Sequence, residues 1–134
     1  MSNLTKIRIE KKGLETILST LESDIMKILW KRNPLKVKEL HELLKKKHNV
    51  AQTSIAVTMD RLYEKKIVDR KIESGRGGLH YLYYPSKTKQ EFEKTIVDQT
   101  VNKLIEAFGP TAVSYFDERF KKEASNRSKS KRKD

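Results

Sequence analysis

The chain has 134 residues, room for one domain with a small appendage. Charged residues make up 36% and the formal net charge is +12, an imbalance that points to an anionic partner, with nucleic acid the first candidate. Cysteine is absent, which excludes disulfides, thiolate metal sites and cysteine nucleophiles; no apolar run approaches the roughly 20 residues that span a bilayer, and no apolar secretory signal opens the chain, so a soluble cytoplasmic protein without a membrane partner is expected.

Residues 1–18 form an N-terminal extension, in which the alternation Lys6, Ile7, Arg8, Ile9, Glu10 suits a short strand and Gly13 marks a turn. Ser19-Thr20-Leu21-Glu22 has the form of a capping box, and Leu21, Ile25, Ile28 and Leu29 recur on one helical face. Asn33-Pro34 stops that face, because the residue before proline is pushed out of the helical region, so the first helix is expected over 20–32. Val37, Leu40, Leu43 and Leu44 make a second stripe, backed by Lys36, Lys38, Glu39, Glu42 and the run Lys45-Lys46-Lys47. After a turn at His48 to Gln52, Thr53 or a near neighbour caps a third helix that buries Ile55, Met59 and Leu62 and ends near Lys65-Lys66.

There the period changes from 3.6 to 2, through Ile67 to Ile72, a break at Gly75-Arg76-Gly77-Gly78, and a return strand Leu79 to Tyr84 before Pro85. Three short helices followed by a hairpin give a winged helix-turn-helix, assigned to residues 19–85, with the third helix as reader and the hairpin as wing. The fold class is therefore mainly α with a small β-hairpin, completed by C-terminal dimerisation helices. Those helices occupy 86–120: Phe92, Ile96, Val97, Val101, Leu104, Ile105 and Phe108 form a long stripe, Gly109-Pro110 breaks it, and Val113, Phe116 and Phe120 resume it. Such faces need burial, and a second copy of the chain is the simplest partner. Residues 121–134 form a basic tail in which Lys121, Lys122, Arg127, Lys129, Lys131, Arg132 and Lys133 face only Glu123 and Asp134, a composition that favours disorder.

Three stretches carry a family likeness. They are Leu18-Ser19-x-x-Glu22-x-x-Ile25-Met26-x-Ile28-Leu29-Trp30 with Pro34-Leu35-x-Val37-x-Glu39-Leu40; Thr53-Ser54-Ile55 to Arg61-Leu62-x-x-Lys65-x-Ile67-Val68; and Arg76 with Tyr81-Leu82-Tyr83-Tyr84-Pro85, followed by Leu104-x-x-x-Phe108-Gly109. In their order and spacing the chain resembles the penicillinase repressor family, the BlaI/MecI/CopY-like winged-helix transcriptional regulators. The resemblance implies a homodimeric repressor whose two reader helices enter successive major grooves of a palindromic operator. Against the family pattern, the extension is longer and a basic tail stands where the closing dimer helix is usual. The cysteine-rich tail of the copper-responsive branch is missing, so relief by copper is not expected.

With Ile55, Met59 and Leu62 inward, the third helix turns Thr53, Ser54, Val57 and Arg61 toward the groove, with Ala56 and Asp60 beside them and Gln52 in the turn just ahead. Arginine takes guanine edges bidentately, glutamine pairs with adenine, hydroxyls serve bases or phosphates, and Val57 or Ala56 suits a thymine methyl. The plainer alternative makes Thr53 a cap and Arg61 a solvated side chain. Arg76, between glycines at the hairpin tip, can reach a minor groove or phosphate. Lys36 and Lys38, with Arg70 and Lys71 on the wing, suit phosphate contacts that set register and salt dependence, as does the Lys45–Lys47 run.

Trp30, Tyr81, Tyr83 and Tyr84 are expected to pack in the fold rather than stack on bases. His41, His48 and His80 show no ligand spacing, so no metal and no cofactor is expected. Enzyme motifs are missing: no phosphate-cradling glycine loop with lysine, no nucleophile elbow, no His-Glu pair at helical spacing. Two rivals stay open: a sequence-neutral architectural nucleic-acid-binding protein, and a winged-helix module that docks another protein.

Overall fold

In the computed structural model, which describes residues 7–8 and 13–132, a 3-10 turn at Gly13–Thr16 leads into three helices, α1 (Thr20–Lys31), α2 (Val37–His48) and α3 (Gln52–Glu64). A hairpin, β1 (Val68–Gly75) and β2 (Gly78–Pro85), and two longer helices, α4 (Lys89–Phe108) and α5 (Pro110–Arg132), complete the chain. The strand expected at Lys6–Glu10 falls mostly outside the described residues. The Arg8 guanidinium donates to the Glu15 carbonyl at 3.0 Å and to the Leu18 carbonyl, just ahead of α1.

The capping box forms as the sequence implies. The Glu22 N–H donates to Ser19 Oγ at 3.1 Å and the Ser19 N–H to Glu22 Oε1 at 2.8 Å, satisfying two donors that a helix start leaves without partners. Ile25, Met26 and Leu29 are fully buried. On α2 the Glu39 carboxylate accepts from the Lys36 N–H at 3.0 Å, and Leu40 and Leu44 face the core. Leu43 does not: it is 45% exposed, a correction to the expected stripe. Adjacent positions lie about 100° apart on a helix, so the inward face that takes Leu40 and Leu44 turns Leu43 toward solvent.

The start of α3 also differs from expectation. Asn49 takes the left-handed conformation (φ 49°), Ala51 is extended as the N-cap, and Thr53 already stands inside the first turn, so no side chain caps this helix. Ile55, Met59 and Leu62 are fully buried as expected. The far end closes by a Schellman arrangement: the Ile67 N–H donates to the Leu62 carbonyl at 2.9 Å and the Lys66 N–H to the Tyr63 carbonyl at 3.0 Å. Lys66 takes the left-handed position (φ 63°) that glycine usually fills.

The hairpin is antiparallel, registered from Val68↔Pro85 to Gly75↔Gly78, with Arg76-Gly77 at the turn. Gly77 (φ 86°) supplies the positive dihedral a two-residue connection needs. A third backbone segment joins at one point. Leu35 and Tyr83 exchange both hydrogen bonds, at 3.0 and 2.8 Å, stitching the α1–α2 connection to β2.

Two compact units divide between Lys94 and Thr95, so the first turns of α4 belong with the winged unit. The division expected at 85/86 lies earlier because Phe92, assigned above to dimerisation, is instead 6% exposed and packs on Trp30, ring centroids 5.8 Å apart. The Trp30 indole N–H donates to the Lys87 carbonyl at 2.9 Å in the same corner. In the second unit Gly109 (φ 54°) breaks the helix and Pro110 opens α5, where its missing N–H costs nothing. The helix then runs through Arg132, past the residue-121 start of the expected disordered tail. Nothing between Thr111 and Arg132 is glycine or proline, and Asp117–Lys121 and Arg119–Glu123 pairs one turn apart support the stretch, at 3.0 and 3.8 Å. No helix among the described residues is long and apolar enough to cross a membrane.

Candidate nucleic-acid interface

Because α3 buries Ile55, Met59 and Leu62, its opposite face carries Gln52, Thr53, Ser54, Val57 and Arg61, all exposed, with Ala56 half-buried. Thr53, Val57 and Arg61 follow one another at four-residue spacing, a continuous outward row of one hydroxyl, one methyl pair and one guanidinium. The Thr58 hydroxyl is turned back onto the Ser54 carbonyl at 2.8 Å and is occupied within the helix.

At the N-terminal end of this row the fold makes a cleft of about 450 Å³, lined by Lys36, Val37, Lys38, Gln52, Arg76, Leu79, His80 and Tyr81. Four of the residues chosen from sequence, Lys36, Lys38, Gln52 and Arg76, thus meet from three elements: the start of α2, the start of α3 and the hairpin tip. Leu79 and His80 were not foreseen. Leu79 is 72% exposed beside Arg76, and a His80 ring nitrogen lies 2.9 Å from the Arg76 carbonyl, fixing the backbone of the tip. Lys36 is partly engaged, 3.6 Å from Glu73. Lys71 is exposed on the opposite face of the hairpin from Arg70, as strand alternation requires.

Arg70 has a different place from the phosphate contact expected of it. Its Nη1 donates to Asp60 Oδ1 at 3.1 Å, and its guanidinium carbon lies 3.8 Å from the Tyr63 ring centroid and 4.1 Å from that of Tyr81. Burial works against the charged form, and the hydrogen bond with the Tyr83 phenol oxygen, together with the surrounding phenols, outweighs it and holds the guanidinium above its ordinary value. Tyr83 in turn is pushed up, chiefly by its own burial, with Arg70 acting in the opposite sense. The spacing in sequence gave no sign of this cluster, since it exists only after the hairpin has docked on α3.

The lysine run on α2 is also partly occupied. Lys45 pairs with Glu42 at 2.9 Å and Lys47 with Asp24 at 2.8 Å, while Lys46 is exposed. Tyr83 is buried and Tyr84 half-buried, while Tyr81 packs on Arg70 and beside the Tyr83 ring, centroids 6.1 Å apart, and stays 43% exposed. Each histidine makes a separate local contact, His41 to the Val50 carbonyl, His48 to Asp24 and His80 to Arg76. Among the described residues no three histidine, aspartate or glutamate side chains cluster as a metal site would require.

In the second unit, Val97, Leu104, Phe108, Val113 and Phe120 are exposed, joined by Tyr115, which the periodicity did not single out. Ile96, Val101, Ile105 and Phe116 are half-buried, and the Phe116 and Phe120 rings stack at 6.2 Å. An isolated protein seldom leaves so many large apolar side chains of one helix pair to water.

Among solved structures, the chain is similar to the transcriptional regulator SlyA, at 17% identity and a TM-score of 0.47, over 92% of this chain and 84% of that one. It is similar to the adhesin competence repressor AdcR of Streptococcus pyogenes at 16% identity and a TM-score of 0.44, over 81% of each chain. It is also similar to a PadR-like transcriptional regulator of Bacillus cereus strain ATCC 14579, at 23% identity and 0.44, over 63% of this chain and 90% of that one. No curated protein matches the sequence. The penicillinase repressor family model matches residues 18–129, which takes in every helix from α1 to most of α5 and the whole hairpin. The chain therefore belongs to the penicillinase repressor family, and is a winged-helix transcriptional regulator rather than an enzyme.

Proposed function

We propose that the protein is a cytoplasmic repressor that binds a palindromic operator in double-stranded DNA as a homodimer. The observation that carries this reading is the exposed row on α3 standing next to a cleft where Lys36, Lys38, Gln52 and Arg76 converge. A helix presenting hydroxyls, a methyl pair and a guanidinium suits base edges in a major groove. Thr53, Ser54, Ala56, Val57 and Arg61 read bases, with Gln52 at the entry. Lys36, Lys38 and Lys71 hold phosphates, and Arg76 reaches the backbone or minor groove beside the wing. The exposed stripe of α4 and α5 supplies the two-fold contact, and the symmetry of that contact is what makes the operator palindromic.

The test is selection of bound fragments from random duplex DNA at physiological salt, with the molecular mass in solution measured alongside. Enrichment of an inverted repeat with half-sites about one helical turn apart, bound by a dimer, is the expected result. Steep salt dependence without an enriched motif would instead make this an architectural nucleic-acid-binding protein, and a weak salt slope without preference a protein-docking module. Within the site, Arg61→Ala combined with Ser54→Ala should lower operator preference; unchanged preference would remove α3 from the reading role.

A further inference from the structure

Arg70 is held by groups from two other elements. Two aromatic rings cover its planar guanidinium, Tyr63 at 3.8 Å and Tyr81 at 4.1 Å, a carboxylate takes its edge, and only 22% of the side chain meets solvent. Asp60 and Tyr63 come from the second half of α3, Tyr81 and Tyr83 from β2, while Arg70 itself stands on β1. The base of the hairpin has other anchors in buried Ile67, Val68 and Tyr83. Toward the tip, Ile72 and Leu79 are exposed, and the Lys36–Glu73 ion pair is solvated on both sides, where such pairs contribute little. Arg70 lies where the anchored half gives way to the exposed half.

We infer that Arg70 is a positioning residue for DNA reading: it fixes the tilt of the wing against α3, so that Arg76 at the tip and the base-facing row of the helix meet one duplex in register. This rests on the DNA-binding role proposed above. A planar, delocalised guanidinium suits the task because it stacks on both faces while its edge donates, which an ammonium group does not do. The competing role, a direct phosphate contact, makes opposite predictions. Removing a cation that touches phosphate weakens binding to all sequences alike and lowers the salt slope by about 1. Releasing the tilt misplaces base contacts and leaves the slope alone.

The experiment compares wild type with Arg70→Lys, Arg70→Gln and Tyr63→Leu, by fluorescence anisotropy on the selected operator and on a scrambled duplex across a salt series. Thermal melts of each variant confirm that it is folded. The expected result is that Arg70→Lys and Tyr63→Leu both lower the operator-to-scrambled ratio by about tenfold, one base pair's worth of discrimination, and that Arg70→Gln leaves the slope on scrambled DNA unchanged. Tyr63→Leu carries no charge change, and Arg70→Lys keeps the charge, so neither effect follows from a phosphate role for Arg70. A wild-type ratio in Arg70→Lys or Tyr63→Leu, or a slope lowered by about 1 in Arg70→Gln, overturns the inference. Failure of the repressor reading itself shows earlier and separately, as a wild-type protein with no operator preference.

Discussion

The Asp24 carboxylate of α1 meets the His48 ring at the end of α2, with Oδ2 and Nε2 2.7 Å apart, and the same oxygen accepts from Lys47 at 2.8 Å. Burial works to raise the Asp24 carboxyl, but the hydrogen bonds and charges of Lys47 and His48 outweigh it and hold the group below its ordinary value. A carboxyl depressed in the folded state stabilises that state above its unfolded value of about 3.9, and the contribution is lost as the pH falls through the lower folded value. Asp24→Asn should therefore lower stability at neutral pH by about 1 kcal/mol and flatten the fall in stability on acidification below about pH 4, measured by urea denaturation across pH. An unchanged acid limb would show that this contact does not couple α1 to α2.

Lys66 holds a left-handed backbone at the end of α3 without the glycine that such a position favours. Lys66→Gly removes the clash between Cβ and carbonyl and should raise stability by up to about 1 kcal/mol, read as a higher melting temperature. A drop in stability would mean that the lysine side chain contributes more than its backbone costs.

Phe92 and Phe108 lie on the same helix and should behave differently. Phe92 is buried against Trp30, so Phe92→Ala should cost about 3 kcal/mol of folding stability while the mass in solution stays that of wild type. Phe108 is exposed on the proposed dimer face, so Phe108→Asp should weaken self-association by about a hundredfold in sedimentation equilibrium. If Phe108→Asp leaves association unchanged, the stripe on α4 is not the two-fold contact.

Trp30→Phe keeps an aromatic ring beside Phe92 and removes the indole donor to the Lys87 carbonyl. Its cost should be about 1 kcal/mol, the ordinary net contribution of one hydrogen bond. A cost several times larger would show that this bond holds the start of α4 in place.

What the sequence made legible was local. The Ser19–Glu22 box, the Ile55–Met59–Leu62 face and the hairpin about Gly77 each depend on residues within a few positions of one another. Contacts made at a distance were less accessible. Arg70 reads as a free wing cation until Tyr63, seven residues before it, and Tyr81, eleven after, close on it from different elements. Phe92 sits on the helical stripe of α4, and nothing in that periodicity tells that its own turn belongs to Trp30. Leu43 beside Leu44 is a choice between neighbours that only the direction of the core decides. The length of α5 follows from composition, yet a run of Lys, Arg and Ser suits a solvated helix and a disordered tail alike.

The paired hydrogen bonds between Leu35 and Tyr83 join backbone segments 48 residues apart. Because the α1–α2 connection and the inner strand of the wing share those bonds, neither can open alone without breaking the other's backbone pairing. The amides of Leu35 and Tyr83 should thus exchange with solvent together, at rates set by unfolding of the whole winged unit, while the amide of Gly77 at the tip exchanges by local fluctuation.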